Sequence, residues 1–396
     1  MNSRPQVSSR GASAPFIAME VMREAAMLSM QGGAHGKRII QLAVGQPSTG
    51  APRLVREAAA RALEKSRLGY TDSLGILKLR ERIAKHYDEH YGQSVSPDRI
   101  IVTSGSSGGF VLAFLACFEA GARVAIAEPC YPAYRNILKS LGLEVVGIPV
   151  GPETRWNLTP DLIADAERKH GRIAGVLVAS PGNPTGTMLD ATHLAALTAS
   201  CEAEGRWFIS DEIYHRISYG MAEATALASS PDAIVINSFS KYYSMTGWRL
   251  GWLIAPQRMM VPLDRLAQNL FISPAALSQE AAIAAFDASE ELDANVAVYA
   301  ANRELLLAEL PKAGFDTFAP ADGAFYLYAD ISRFLRADGN ADSTEFCKRM
   351  LREIGVALTP GYDFDTERGR QTVRFSFSGA TADMAEAAER IKSWLG

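Results

Sequence analysis

One lysine sits in a setting that most surface lysines lack. The segment Ser238-Phe239-Ser240-Lys241-Tyr242-Tyr243-Ser244-Met245-Thr246-Gly247-Trp248-Arg249-Leu250-Gly251 joins two short apolar runs, Ile234-Val235-Ile236-Asn237 and Leu250-Gly251-Trp252-Leu253-Ile254-Ala255. Each run is of the kind that makes a buried strand. The connection therefore places an amine, the hydroxyls of Ser238 and Ser240, and the Arg249 guanidinium beside a core. An amine on a flexible stem can condense with an aldehyde. A planar guanidinium can pair two phosphate oxygens at once. Three more stretches carry groups that need a partner. Trp207-Phe208-Ile209-Ser210-Asp211 runs apolar residues into a carboxylate at a strand end, where open α/β sheets bind ligands. A buried Asp there is costly unless a cation or donor faces it. Val373-Arg374-Phe375 puts an arginine inside an apolar strand pattern, which calls for an anion or a salt bridge. Ser104-Gly105-Ser106-Ser107-Gly108-Gly109 leads from a strand into an apolar helix. Such a turn presents N–H groups and hydroxyls suited to a phosphate, without the Gly-x-x-x-x-Gly-Lys spacing of a nucleotide loop.

The elements that must position these groups are legible as patterns. From residue 100 onward, strand and helix alternate, the mark of a parallel, doubly wound sheet. Strands are expected over 100–103, 124–127, 145–150, 176–179 and 207–210, with a helix opening at Thr159-Pro160-Asp161. Upstream, 16–30 has helical spacing (Ile17, Val21, Ala25, Leu28) and stops at Gln31-Gly32-Gly33. A strand over 39–44 ends at Gly45-Gln46-Pro47, and helices over 53–65 and 77–91 flank Gly69-Tyr70-Thr71-Asp72. Beyond 255, helical segments run over 257–288 and 290–310, followed by strands near 324–328 and 372–378 and helices near 343–354 and 383–395. The expected fold class is α/β, with a large domain of mostly parallel sheet over 46–289. A smaller, discontinuous α+β domain is expected from 16–45 and 290–396. Residues 1–15, rich in Ser, Arg, Gly and Ala, read as a disordered tail rather than a signal peptide.

Composition excludes several classes. The net charge of −4, from 40 basic and 44 acidic residues in 396, gives no basic field for nucleic acid. The longest apolar stretch, near 111–118, is too short to span a bilayer. Cys117, Cys130, Cys201 and Cys347 are scattered without a Cys-x-x-Cys pair. That argues against a disulfide framework or zinc site and suits a reducing cytoplasm. His86 and His90 lie one helical turn apart, but His-Tyr-Asp-Glu-His lacks the zinc-protease order and a third ligand. Two solvated histidines are expected instead, and no metal.

The lysine segment, Ser-x-Ser-Lys-x-x-Ser-Met-x-Gly-x-Arg-Leu-Gly, resembles the signature of the class I/II pyridoxal-phosphate (PLP) aminotransferases of fold type I, the aspartate aminotransferase-like group. Asn183-Pro184-Thr185-Gly186 and Asp211-Glu212-Ile213-Tyr214 are similar to two further marks of that family. The resemblance runs in order from about Gly45 to Ser378. It implies that Lys241 forms a Schiff base with PLP and acts as general base and acid. It implies that Asp211 faces the pyridine nitrogen, that Asn183 and Tyr214 bond the ring's 3-oxygen, and that Tyr131 stacks on the ring. The phosphate would be held by Gly105, Ser106, Ser107, Ser238, Ser240 and Arg249, with Tyr70 reaching across a homodimer interface. Gly45, Asn183 and Arg374 would bind the substrate, Arg374 by a fork on its α-carboxylate. Asn183–Pro184 is a candidate cis peptide.

The implied activity is a cytoplasmic transaminase (EC 2.6.1 type), moving the α-amino group of an L-amino acid to a 2-oxo acid by a ping-pong mechanism. In one aspartate-specific branch, a lysine at the position of Ser107 pairs with the substrate's distal carboxylate. The serine here points to a neutral or aromatic donor, with 2-oxoglutarate or pyruvate as acceptor. Two alternatives share the constellation: a PLP-dependent C–S β-lyase and a non-catalytic PLP-binding sensor. The second usually carries a DNA-binding helix-turn-helix, for which the N-terminal tail is too short.

Overall fold

The computed structural model describes residues 6–335 and 342–396. Among them the strands are β1 (Ile40–Gln41), β2 (Ile100–Thr103), β3 (Arg123–Glu128), β4 (Glu144–Pro149), β5 (Ile173–Ala179), β6 (Trp207–Asp211), β7 (Ile234–Ser238), β8 (Gly251–Ile254), β9 (Tyr326–Asp330), β10 (Val356–Ala357), β11 (Thr359–Pro360) and β12 (Thr372–Ser376). Seven of them form one sheet in the order β2-β8-β7-β6-β5-β3-β4. β8 runs antiparallel to both its neighbours, and the other pairs are parallel. The chain is therefore α/β with a mostly parallel central sheet.

Helices cover both faces of this sheet, which is why its strands read as continuous apolar runs. The pleat sorts their side chains into two layers. Ile101, Ile234, Ile236 and Leu253 pack with Phe110, Phe114 and Leu263, from helices Gly105–Cys117 and Met260–Leu270. Val102, Val235, Trp252 and Ile254 pack on the other side with Leu79, Ile83 and Tyr87 of helix Leu77–Tyr91. A second sheet, β11-β12-β9, is antiparallel, and β12 sets Arg374 opposite Thr359 and Tyr328. β1 pairs with β10 in parallel, so the N-terminal segment is stitched to residues more than three hundred positions later.

Several expected boundaries move, each for a local reason. The strand over 39–44 is reduced to β1, because the chain changes partners: Leu42 N–H donates to Ala357 O (2.9 Å), while Leu42 O accepts from Ser376 N–H (2.7 Å). The helical segment 257–288 breaks into Met260–Leu270 and Ala276–Ala282. Between them Ile272 takes a positive φ of 64°, and Pro274 lacks the N–H that helix continuation needs. The strand expected from Ala324 starts at Tyr326, since Ala324 has φ 58°. The helix expected from Phe110 starts at Gly105, whose φ is 70°. Residues 6–15 of the expected tail carry one 3-10 turn, Ser9–Gly11, and residues 1–5 lie outside the described part. No helix among the described residues is long and apolar enough to cross a membrane.

The two histidines are not both solvated. His86 is 6% exposed, with its ring 5.5 Å from His90 and 5.4 Å from Phe286. Helix Leu77–Tyr91 turns that position toward the core, and only His90 reaches a carboxylate, Glu223 Oε2 at 3.1 Å. No group of three metal-ligating side chains occurs among the described residues. Burial, reinforced by the neighbouring His90, lowers the His86 pKa to about 3. An unfolded His86 takes a proton below its ordinary pKa of 6.5 while the folded one does not, so stability is lost as pH falls from 6.5 toward 3. At pH 5 this amounts to about 2 kcal/mol. His86→Phe is expected to shrink the drop in melting temperature between pH 7 and pH 5, as read by differential scanning calorimetry. An unchanged drop would contradict the assignment.

Candidate active site

The C-terminal ends of β2, β3, β5, β6 and β7 lie along one edge of the large sheet, and most of the chemistry-bearing residues follow directly from those ends. β2 leads to Gly105, Ser106 and Ser107; β3 to Tyr131; β5 to Asn183; β6 ends on Asp211; β7 leads to Ser240 and Lys241. β12 brings Arg374 from the second sheet, and the segment after β1 brings Gly45. Together they line a cavity of about 450 Å³ that includes Ser106, Ser107, Tyr131, Asn183, Asp211, Tyr214, Ser240, Lys241, Arg249, Arg374 and Gly45.

Asp211 is 3% exposed and has no ion-pair partner among the described residues. Its Oδ2 accepts a short hydrogen bond from Tyr134 Oη, and its Oδ1 accepts from Ile213 N–H at 3.1 Å. Burial pushes its pKa up to about 6 against the pull of these donors. It is not a helix cap, because no helix follows it. Lys241 Nζ donates to Gly45 O at 2.5 Å. Burial, then the Arg374 charge, lowers the lysine's pKa to about 8, bringing an uncharged amine within reach at physiological pH.

Arg374 is the most telling group. It is 4% exposed, yet its partners are neutral: Asn183 Oδ1 (2.8 Å), Ala43 O (2.6 Å) and Thr359 Oγ1 (3.2 Å). Its guanidinium lies over the Tyr326 and Phe364 rings, at 4.4 and 4.8 Å. Its Nε is buried without a hydrogen-bond partner. A buried cation without an anion is costly, so the geometry prepares this one for an acid group. Arg249 lies near the start of helix Gly105–Cys117. Its Nη1 donates to Thr246 O at 3.0 Å, and a Cβ on Gly105 would stand 2.6 Å from its Nη2. With Ser106 and Ser107 on the first turn of helix Gly105–Cys117, this corner suits a phosphate.

The class I and II aminotransferase profile matches residues 37–391. The chain belongs to this family. It is 50% identical to a valine–pyruvate aminotransferase of Mycobacterium tuberculosis, over 98% of both chains. A crystal structure of an aminotransferase from the same organism superposes with TM-score 0.94 at 49% identity, over 99% of each chain. Aspartate aminotransferase from Thermus thermophilus, solved with maleate, superposes with TM-score 0.90 at 28% identity, over 98% of this chain and 100% of that one. The protein is thus a transaminase, passing an amino group to a 2-oxo acid.

Not every residue singled out in this aminotransferase reaches the cavity. Ser238 is buried behind it, its hydroxyl donating to Leu250 O (3.0 Å) and accepting from Ser240 Oγ (2.9 Å). Gly105 acts by lacking a side chain beside Arg249. Tyr70 is 86% exposed and lies away from its own chain's cavity, beside Arg67 and Pro274. Asn183–Pro184 is cis, as are Glu128–Pro129 and Ser180–Pro181. Conversely, several functional positions carry little local signal. Tyr134 holds Asp211. Tyr326 Oη bonds Tyr214 Oη at 2.6 Å and would lie 2.3 Å from a Cβ on Gly45. Tyr326 stands in an apolar strand and Tyr134 in an amphipathic helix, where phenols pass as core residues.

The raised pKa of Asp211 has a definite sign. Its contribution is fully present below the unfolded value of 3.8 and is lost as pH rises through about 6. The full penalty approaches about 3 kcal/mol. Asp211→Asn should therefore stabilise the cofactor-free protein at pH 7.5 by about 2 kcal/mol: the burial penalty of about 3 is removed, less about 1 because an amide NH2 in place of Oδ2 cannot accept from Tyr134 Oη, while Oδ1 still accepts from Ile213 N–H. At pH 5 the penalty itself is about halved, so the gain should fall below about 1 kcal/mol, while transamination is lost at either pH. Equal or lower chemical stability of the variant at pH 7.5 would contradict the burial argument.

Proposed function

We propose that this enzyme uses PLP, held in the cavity described above, to move the α-amino group of a neutral L-amino acid to a 2-oxo acid. The observation that carries this reading is the pair of buried, opposite charges without ion-pair partners, Asp211 and Arg374, on the walls of one cavity. The donor set fits the cofactor. Asp211 would face its ring nitrogen, Tyr214 and Asn183 its 3-oxygen, Tyr131 its face, and Ser106, Ser107, Ser240 and Arg249 its phosphate, with Ser238 orienting Ser240. When bound, PLP supplies an aldehyde to receive the amino group and a protonated ring to accept the electron pair of the breaking Cα–H bond. Asp211, ionised, would hold a proton on that ring nitrogen.

Arg374 orients the substrate by its α-carboxylate, its Nε and Nη groups offering the fork that a carboxylate needs. Lys241 Nζ, with its lowered pKa, takes the proton from the substrate α-carbon and returns it elsewhere as general base and acid. Gly45 O, which holds Nζ, marks where the amine rests between steps. The substrate name of the half-identical mycobacterial relative supports a neutral donor, as does Ser107 in place of a lysine. We further propose a homodimer in which Tyr70 of one subunit reaches the phosphate of the other, consistent with its exposure here. Residues 46–289 would form the cofactor domain, and 16–45 with 290–396 the smaller one. A cytoplasmic location accords with the four free thiols.

Lys241→Ala and Arg374→Ala separate the roles. The first should abolish turnover. The second should retain cofactor affinity while losing about 10²–10³-fold in kcat/KM, the scale of removing one partner from a buried charge pair. Steady-state kinetics and a cofactor titration check both. Activity in Lys241→Ala, or an unchanged kcat/KM in Arg374→Ala, would refute the assignment.

A further inference from the structure

One carboxylate on the cavity wall takes no part in the chemistry above. Asp363, at the end of the 3-10 turn Gly361–Asp363 between β11 and β12, is 4% exposed. Its Oδ1 accepts the N–H of Ile17 at 2.8 Å, and its Oδ2 the N–H of Ala18 at 3.2 Å. These are the first two residues of helix Ile17–Met30, whose own N-cap, Phe16, makes no side-chain hydrogen bond. A carboxylate 346 positions downstream therefore caps this helix, where the free N–H groups and the helix dipole both favour an anion. The turn itself is pinned. Arg135 donates to Asp363 O (3.2 Å) and Phe364 O (3.0 Å) while pairing with Glu128 Oε1 at 3.0 Å.

The anchored helix lays Phe16, Ala18, Met19 and Met22 against the cavity, and Phe364 of the same turn covers Arg374. The wall beyond the α-carboxylate site is thus apolar with one negative charge in it. Lys241, Arg249 and Arg374 are the cations that line the cavity, and each is committed to the amino group, the phosphate or the α-carboxylate. Among the described residues of this chain a second substrate carboxylate would meet no free cation, and it would face Asp363 in a poorly hydrated setting, where like charges repel strongly. Methionines, unbranched and adaptable, would fit aliphatic side chains of different shape.

We propose that Asp363 and the helix it anchors are the specificity device of this site, admitting substrates with a single carboxylate and an apolar side chain and excluding dicarboxylic amino and 2-oxo acids. This rests on the transaminase reading with Arg374 on the α-carboxylate. It narrows the acceptor to the pyruvate class and sets 2-oxoglutarate aside.

The test uses the PLP-loaded full-length enzyme. Single-turnover rates are measured with L-alanine, L-valine, L-aspartate and L-glutamate, and kcat/KM with pyruvate and 2-oxoglutarate. The wild type should favour the monocarboxylic member of each comparison by about 100-fold or more, given what one unpaired charge costs in a closed site. Asp363→Asn should shift that ratio toward the dicarboxylic member by about tenfold. Met22→Arg, which leaves the Asp363 hydrogen bonds intact, should shift it the same way by adding a cation. A loss of helix anchoring alone would lower all rates together and leave the ratio unmoved, so an unmoved ratio in both variants overturns the proposal. So does a wild type that converts L-aspartate or L-glutamate within threefold of L-alanine, as a cation from the partner subunit would allow. If no amino acid converts the cofactor, the transaminase reading fails instead, and the specificity device falls with it.

Discussion

The site depends on two charges buried without counter-ions. Asp211 and Arg374 are each almost inaccessible to water, and neither has an ion-pair partner among the described residues. A folded chain carries such groups only at a cost, and the surroundings here reduce that cost without cancelling it. Tyr134 and Ile213 donate to Asp211, but burial still wins and raises its pKa. Asn183, Ala43 and Thr359 accept from Arg374, yet its Nε–H remains unmet. Ligands that supply a ring N–H to Asp211 and a carboxylate to Arg374 would complete both. That is electrostatic preorganisation: the fold holds the charges in place before the reactants arrive.

The architecture holds these charges where the strand ends leave room. Parallel strands of the large sheet end along a common edge, and short connections deliver the glycine–serine turn, Asn183, Asp211 and Lys241 to it. Arg374 comes from a different sheet, in register with Thr359 and Tyr328. Its distance from Asp211 therefore depends on how the two sheets pack. Tyr214 and Tyr326, one from each part, bridge that junction by their hydroxyls. The helix Ile17–Met30 closes the same junction through Asp363. The two sheets meet at the cavity, so packing and substrate recognition share residues.

Much of this was legible in the sequence, for physical reasons. The buried strands of a two-faced sheet read as uninterrupted apolar runs, and helices such as Arg53–Lys65 and Leu77–Tyr91 kept the limits their patterns implied. Charged residues set in apolar runs, Asp211 and Arg374 above all, stood out because such placement needs a reason. The segment after Ala255 was less legible, since a proline and a positive φ at Ile272 break an otherwise helical pattern. Residues that act through long-range contacts left little local trace. Tyr326 reads as a strand phenol, Asp363 as a loop carboxylate, and Met19 and Met22 as packing. His86 showed the same blindness in reverse, because helical spacing does not reveal which face the fold covers.

A transaminase passes the amino group on rather than eliminating it. The decisive measurement exposes the PLP-loaded enzyme to neutral L-amino acids without any oxo acid, following the visible cofactor band and free ammonia together. Transamination predicts that the band is lost after one equivalent of amino acid per site, with no ammonia released, and returns on adding pyruvate. Ammonia accumulating turnover after turnover without an oxo acid would contradict it and make the enzyme a lyase.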